Sequence, residues 1–401
     1  MQIPVSKRTA LILFLALAYA LGPFTVDPFT PAFPKIAATF SVSNALLQFS
    51  MTGVTLGMGL GQLFAGPFSD SIGRKRPMLV AIALYVLGAF ASSLAPDIWW
   101  FIGSRTLMAV GSSGAAVLAA AIVRDAAAGD AMLKLLSRIF WIQGFAPVLA
   151  PIIGSQVIQV ADWRLLFQIF GVVAAVGMVW GVFGLTETLA TERRRGSVFT
   201  GMGARFIHVL RDRSYRGLVL ISLMTTVQLY AYLNVFPFLF LDLLKVDQNL
   251  YGVLAASVSL TWLLAFQLSA SIAPRWGYLK TLVASMALGV LAGIGGLTIG
   301  VSVIAVPVHM ALIYLAVVAF GASTGPLQTL SLAPHGEEAG TAAALMGTIN
   351  FLVTALLSPI FTVLPTNSFA GLGGVYLVCF AIGLGSALLV VKPALTGSTL
   401  R

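Results

Sequence analysis

Apolar residues gather in long runs along the chain. Charged or Pro/Gly-containing breaks divide them into twelve segments, roughly 10–32, 44–68, 77–96, 99–123, 132–158, 165–186, 217–241, 250–273, 280–301, 304–327, 339–364 and 370–391. Each approaches or exceeds the ~20 residues that a helix needs to cross a bilayer. The pattern predicts an all-α membrane protein of twelve transmembrane helices, with little chain left for anything else. Length alone would have suggested two soluble domains. Composition removes that option, because 59% of the 401 residues are hydrophobic, 9% are charged and the mean hydropathy is +0.98.

Charge adds orientation. With the N-terminus placed in the cytoplasm, nineteen of the twenty-three Lys and Arg residues fall on inner segments, seven of them arginines between Arg193 and Arg216. Outer loops hold Lys35, Arg164 and Lys245, and Arg105 lies inside a segment. That is the positive-inside pattern, with both termini cytoplasmic. The net charge of +10 is therefore assigned to topology and anionic lipid, and no nucleic-acid partner is expected. The start, Ser6-Lys7-Arg8 before an apolar run and Ala18-Tyr19-Ala20, imitates a secretory signal. Cleavage there would remove the first span and leave eleven, so the segment is read as retained.

The charge cluster TETLATERRRGSVF...RDRSYR, residues 186–216, falls almost midway. It predicts an N-terminal six-helix bundle (1–188), a cytoplasmic linker (189–215) and a C-terminal six-helix bundle (216–401). A weak echo agrees: SDSIGRKRPMLVA aligns with APRWGYLKTLVAS when Gly73 is laid on Gly277. Such a repeat is expected of duplicated bundles with pseudo-two-fold symmetry.

Several stretches carry a family resemblance. The loop after the second span reads GPFSDSIGRKR, residues 66–76, which resembles the G-x-x-x-D-R-x-G-R-R signature of the major facilitator superfamily. Gly66 permits close helix approach, Gly73 a tight reversal, and Asp70 can face a helix N-terminus. Arg74 and Lys75 can then pair with an acid on a neighbouring helix end, for which Asp125 in VRDAAAGD is the candidate. The resemblance implies a latch on the cytoplasmic side. The arginine usual after the Asp is Ser71 here, which leaves the latch weakened or carried by Arg74.

In the fifth span, GFAPVLAPIIGS (Gly144 to Ser155) is similar to the Gly/Pro motif of the superfamily's antiporter branch. Pro147 and Pro151 each remove a helical hydrogen bond, while Gly144 and Gly154 allow close packing. Two expected glycines are Ala150 and Ser155. With DPFTPAFP, ADWRLLFQIFG and EEAGTAAALMGT, the whole chain resembles the Bcr/CflA drug resistance subfamily. That resemblance implies export of bicyclomycin-, chloramphenicol- or florfenicol-like drugs against protons, by a monomer in the bacterial cytoplasmic membrane.

The residues themselves point to one coupling site. Of thirteen acids, only Asp27 lies within a span so drawn, and an ionisable group in hydrocarbon is a functional candidate by default. Arg105 is the arginine likewise placed well away from the inner end of its span, in FIGSRTLMAVGSSG, which resembles the family's span-4 arginine motif. Where that motif has Gln and Gly, this chain has Met108 and Ala109. At ~1.5 Å per residue, Asp27 is roughly 25 Å from the inner start of its span and Arg105 roughly 9 Å from the outer start of its own. In a core about 30 Å thick, the two can meet in the outer half of an N-terminal cavity, as a proton-exchanging site or as a fixed ion pair.

Candidate cavity residues for a mostly apolar drug are Tyr230 and Asn234, which share a helix face, together with Trp141, Gln143 and Met108. His309 and Cys379 are read as packing residues. No Walker sequence, Cys/His metal spacing or G-x-S-x-G elbow occurs. The expectation is a transporter without cofactor, driven by the proton gradient, and not an enzyme; uptake or passive passage of a small metabolite is the alternative.

Overall fold

In hydrocarbon a backbone N–H finds no water, so an apolar run must satisfy its own hydrogen bonds, and a helix does so within one segment. The computed structural model describes residues 5–126, 129–189, 191, 194, 202–298, 305–332, 334–335, 339–362 and 369–394, and among these the regular structure is helical. The first unit, Met1–Thr200, contains α1 (Val5–Val26), a 3-10 turn (Asp27–Ala32), α2 (Phe33–Phe40), α3 (Asn44–Ile72), α4 (Lys75–Ser93), α5 (Ile98–Ala126), α6 (Gly129–Val160) and α7 (Arg164–Gly184). The second unit, Gly201–Arg401, contains α8 (Met202–Arg211), α9 (Arg213–Pro237) with a π-helical turn (Phe238–Leu243), α10 (Gln248–Trp276), α11 (Tyr278–Thr298), α12 (Val306–Leu332), α13 (Ala339–Leu357), α14 (Pro359–Thr362) and α15 (Ala370–Ser386) with a second π turn (Ala387–Val391).

Ten helical stretches among the described residues are long and apolar enough to cross a membrane. Small and polar side chains turn inward, where α3 and α4 pack on α5 and α10 and α11 pack on α12. Large apolar side chains such as Leu87, Phe183 and Leu389 stay exposed, as expected where the surroundings are lipid.

Three local devices repeat 204 residues apart. Gly73 and Gly277 have φ of 98° and 104° and close α3 and α10, each N–H bonding four residues back. Ser41 and Lys245, with φ of 52° and 53°, precede the same two helices. Ser43 and Asp247 cap them, accepting from the N–H of Leu46 and Leu250 at 3.2 and 3.0 Å. Both helices are 29 residues long.

Three expectations need correction. The first span does not stop at residue 32: the prolines that read as breakers are taken up in the 3-10 turn, and the helix resumes to Phe40. The seventh runs on to Leu243, so Asp242 falls in its last turn and is half-buried. The stretch 189–215, read as a linker, contains α8, whose Val209 is buried against Tyr215 and Met346.

Candidate functional site

The first helix breaks at the acid. Pro28 and Pro31 have no N–H to donate, and the chain tightens into the 3-10 turn that begins at Asp27. The Thr30 hydroxyl donates to the Asp27 carbonyl at 3.0 Å. The Asp27 side chain is half-buried inside the apolar stretch Leu11–Phe40.

Arg105 on α5 is completely buried. In a 3-10 register the Thr25 carbonyl would meet residue 28, a proline, and Arg105 Nη2 donates to that carbonyl at 2.8 Å. Nη1 donates to the Ser50 hydroxyl of α3 at 3.2 Å. The guanidinium carbon lies 5.6, 5.9 and 5.7 Å from the ring centroids of Phe29, Phe33 and Phe101, within cation–π range. Arg105 thus grips the chain on both sides of Asp27. No ion pair between Arg105 and the Asp27 carboxylate is formed among the described residues. The aromatic wall continues through ADWRLLFQIFG: Phe167 stacks on Phe29 at 3.9 Å and 7°, and Trp163 Nε1 donates to the Thr39 hydroxyl at 3.1 Å.

The Gly/Pro motif meets the same turn. Pro147 and Pro151 lie inside α6, and a Cβ placed on Gly154 would fall on the Pro28 carbonyl oxygen. Backbone cannot yield as a flexible side chain does, so glycine is required for α6 to cross here. Gly144 and Pro151 are buried nearby on α6. The side chains of Trp141 and Gln143 lie outside the described residues. Met108 is fully buried, its backbone and Cβ packed against Gly88 of α4. In the second unit, Asn234 Nδ2 donates to the Tyr230 carbonyl at 2.8 Å, and the Tyr230 ring stands edge-on to Phe351. His309 packs, with Nδ1 2.7 Å from the Ala305 carbonyl and its ring against Phe369.

The 66–76 motif forms a network centred on Arg74. Arg74 Nε donates to Asp125 Oδ2 at 2.9 Å, and Nη1 donates to Asp70 Oδ1 at 2.6 Å and to the Ser69 hydroxyl. Burial pushes the guanidinium pKa down, but these hydrogen bonds and carboxylate charges outweigh it and raise it. Lys75 Nζ donates to the Val182 carbonyl at 2.8 Å, and Gly66 lies near Val117 of α5. Sequence reasoning missed Glu187, which was grouped with the linker charges. Its carboxylate accepts from the N–H groups of Arg74 (2.8 Å) and Lys75 (3.2 Å) at the start of α4. Gly73 is needed for its positive φ, and a Cβ there would also displace the Glu187 carboxylate from the start of α4. An acid just after an apolar run, opposite a basic turn, was the available signal.

Burial acts to raise the Glu187 pKa, yet bonds from the Arg74, Leu189, Lys75 and Thr188 N–H groups prevail and hold it below the ordinary 4.5. A depressed carboxylate contributes stability that is full above its unfolded value and is lost as pH falls through the folded one. Glu187→Gln is therefore expected to speed hydrogen exchange at the Arg74 and Lys75 amides at neutral pH, after correction for intrinsic rates. The gap to wild type should close below pH 4.5; equal exchange at neutral pH would refute the cap.

The comparisons with known proteins agree with this architecture. A family model described as Major Facilitator Superfamily matches residues 13–359. The chain belongs to that superfamily. It is a multi-pass membrane transporter acting on small molecules, not an enzyme. It is 27% identical over 383 residues to the "Uncharacterized MFS-type transporter YdgK" of Bacillus subtilis (strain 168), covering 94% of each chain. It is 25% identical over 351 residues to the "Bicyclomycin resistance protein homolog" of Haemophilus influenzae, covering 86% of this chain and 87% of that one. It is likewise 25% identical over 380 residues to the "Multidrug resistance protein MdtL" of Escherichia coli O157:H7, covering 92% and 94%. Among solved structures, the inward-open xylose transporter XylE from E. coli superposes with a TM-score of 0.75 at 17% identity, covering 95% of each chain. That likeness is one of fold.

Proposed function

We propose that this transporter is a proton-coupled multidrug antiporter of the Bcr/CflA type. It exports small, largely apolar antibiotics by alternating access, across a bacterial cytoplasmic membrane and with both termini inside. The observation that carries the reading is Asp27: an ionisable group within a membrane-crossing stretch, at a break in its helix, with no ion pair to Arg105. An acid so placed can bind and release a proton. Deprotonated Asp27 favours drug, and protonated Asp27 favours return of the empty carrier, so the two ligands compete. Tyr230 and Asn234, with Trp141 and Gln143, are the proposed contacts for the drug. The proton gradient supplies the energy, no cofactor takes part, and the monomer is the working unit. The names of the Haemophilus and Escherichia relatives support drugs as the substrate class.

Expression in a pump-deficient bacterial host tests the reading. Resistance to amphenicols, bicyclomycin or lipophilic cations is expected to rise, and a protonophore to abolish the rise. Unchanged sensitivity to the whole panel by a protein verified in the membrane would overturn it.

A further inference from the structure

The first unit carries an apolar groove that the transport reading does not use. It lies between α3 and α4 over α5, has a volume of about 330 Å³, and is lined by Gly61, Ala65, Phe68, Ala81, Leu84 and Gly114 among others. Its floor is shallow in side chain: a Cβ on Gly114 would already touch those of Ala81 and Ala65 at 3.4 and 3.6 Å. Its rim is open, with Phe64, Phe68, Ile72 and Val80 each at least two-fifths exposed. From Pro77 to Leu84 the groove follows two turns of α4, roughly 10 Å, inward from the Arg74 network.

Two of its three walls, α4 and α5, are long and apolar enough to cross a membrane, and the exposed rim of phenylalanine, isoleucine and valine side chains suits hydrocarbon at the opening. At its polar end stands Arg76, exposed and one helical turn from Val80 on the same face of α4. Among the described residues Arg76 makes no ion pair; Asp70 and Asp125 are taken by Arg74, and Glu187 by backbone N–H groups. An apolar slot ending at an unpaired guanidinium is complementary to a lipid whose head is an anion. We propose that the groove holds one acyl chain of an anionic phospholipid, with its phosphate on Arg76. The lipid would then brace α3 against α4 on either side of the Gly73 turn. Drug export is not a premise of this site.

Native mass spectrometry of the purified full chain in detergent, given equal phosphatidylglycerol and phosphatidylcholine with identical acyl chains, tests it. The wild type is expected to retain one phosphatidylglycerol with about fivefold preference, the effect of one cation at a membrane surface. Arg76→Gln should bring the two lipids to parity, and Ala65→Phe, which fills the slot, should reduce retention of both. Equal retention by the wild type, or undiminished preference in Arg76→Gln, would overturn the proposal. So would a dimer that displaces lipid. If Ala65→Phe does not fold, Arg76→Gln decides alone.

Discussion

Asp27→Asn is expected to leave a folded protein that no longer drives drug uphill. Asparagine keeps the size and most of the hydrogen-bonding capacity of aspartate but cannot exchange a proton near neutral pH. If Asp27 couples the two fluxes, proteoliposomes with an imposed proton gradient should show export at the background of empty vesicles, while exchange down a drug gradient continues. Stability should move the other way. A charge near the centre of a membrane helix costs about 2.5–3.5 kcal/mol on insertion scales, and no ion pair with Arg105 offsets that cost for Asp27. Thermal unfolding in detergent is therefore expected at an unchanged or higher temperature, the usual relation between a strained functional group and its neutral replacement. Wild-type uphill transport by the Asn variant would remove Asp27 from the mechanism and leave the architecture intact.

The helices were legible because the bilayer imposes one simple rule on composition, and the repeat was legible because glycine marks a backbone need. Gly73 and Gly277 aligned on a few letters, and both prove to hold positive φ at a helix end. Ser41 and Lys245 share the left-handed conformation without sharing chemistry, so no residue comparison would pair them. Helix α8 escaped because ten residues with basic ones among them resemble a solvated linker. Its stability comes from contacts of Val209 with residues more than a hundred positions away.

The candidate site was half legible. Counting residues placed Asp27 and Arg105 at one depth, and the structure puts them in one neighbourhood. The choice of partner was hidden, because proline at 28 changes which carbonyl needs a donor, and a main-chain acceptor leaves no trace in side-chain identity. The same holds for Gly154, whose partner is the Pro28 carbonyl. The break at Asp27 and the Gly/Pro motif of α6, read from sequence as separate features, are two sides of one contact.

Arg105 provides the second large effect. Arg105→Lys conserves charge, so a purely electrostatic role predicts normal behaviour. The observed role is geometric: a planar fork donates to the Thr25 carbonyl and the Ser50 hydroxyl while lying among three phenylalanine rings. A compact ammonium on a flexible stem cannot satisfy both acceptors and keep those ring contacts. Each buried acceptor left without its donor costs about 1–3 kcal/mol, so Arg105→Lys should unfold at a lower temperature than wild type. Arg105→Ala should be worse, since both acceptors lose their donor and a void opens between Phe29, Phe33 and Phe101. Because Thr25 is two residues from Asp27, loosening the Thr25 carbonyl should also disturb the 3-10 turn, and transport should fall in the same order. Thermal unfolding read by tryptophan fluorescence, with drug flux in proteoliposomes, measures both. A Lys variant equal to wild type in stability and flux would show that any cation serves, and the guanidinium clamp on the broken helix would have to be abandoned.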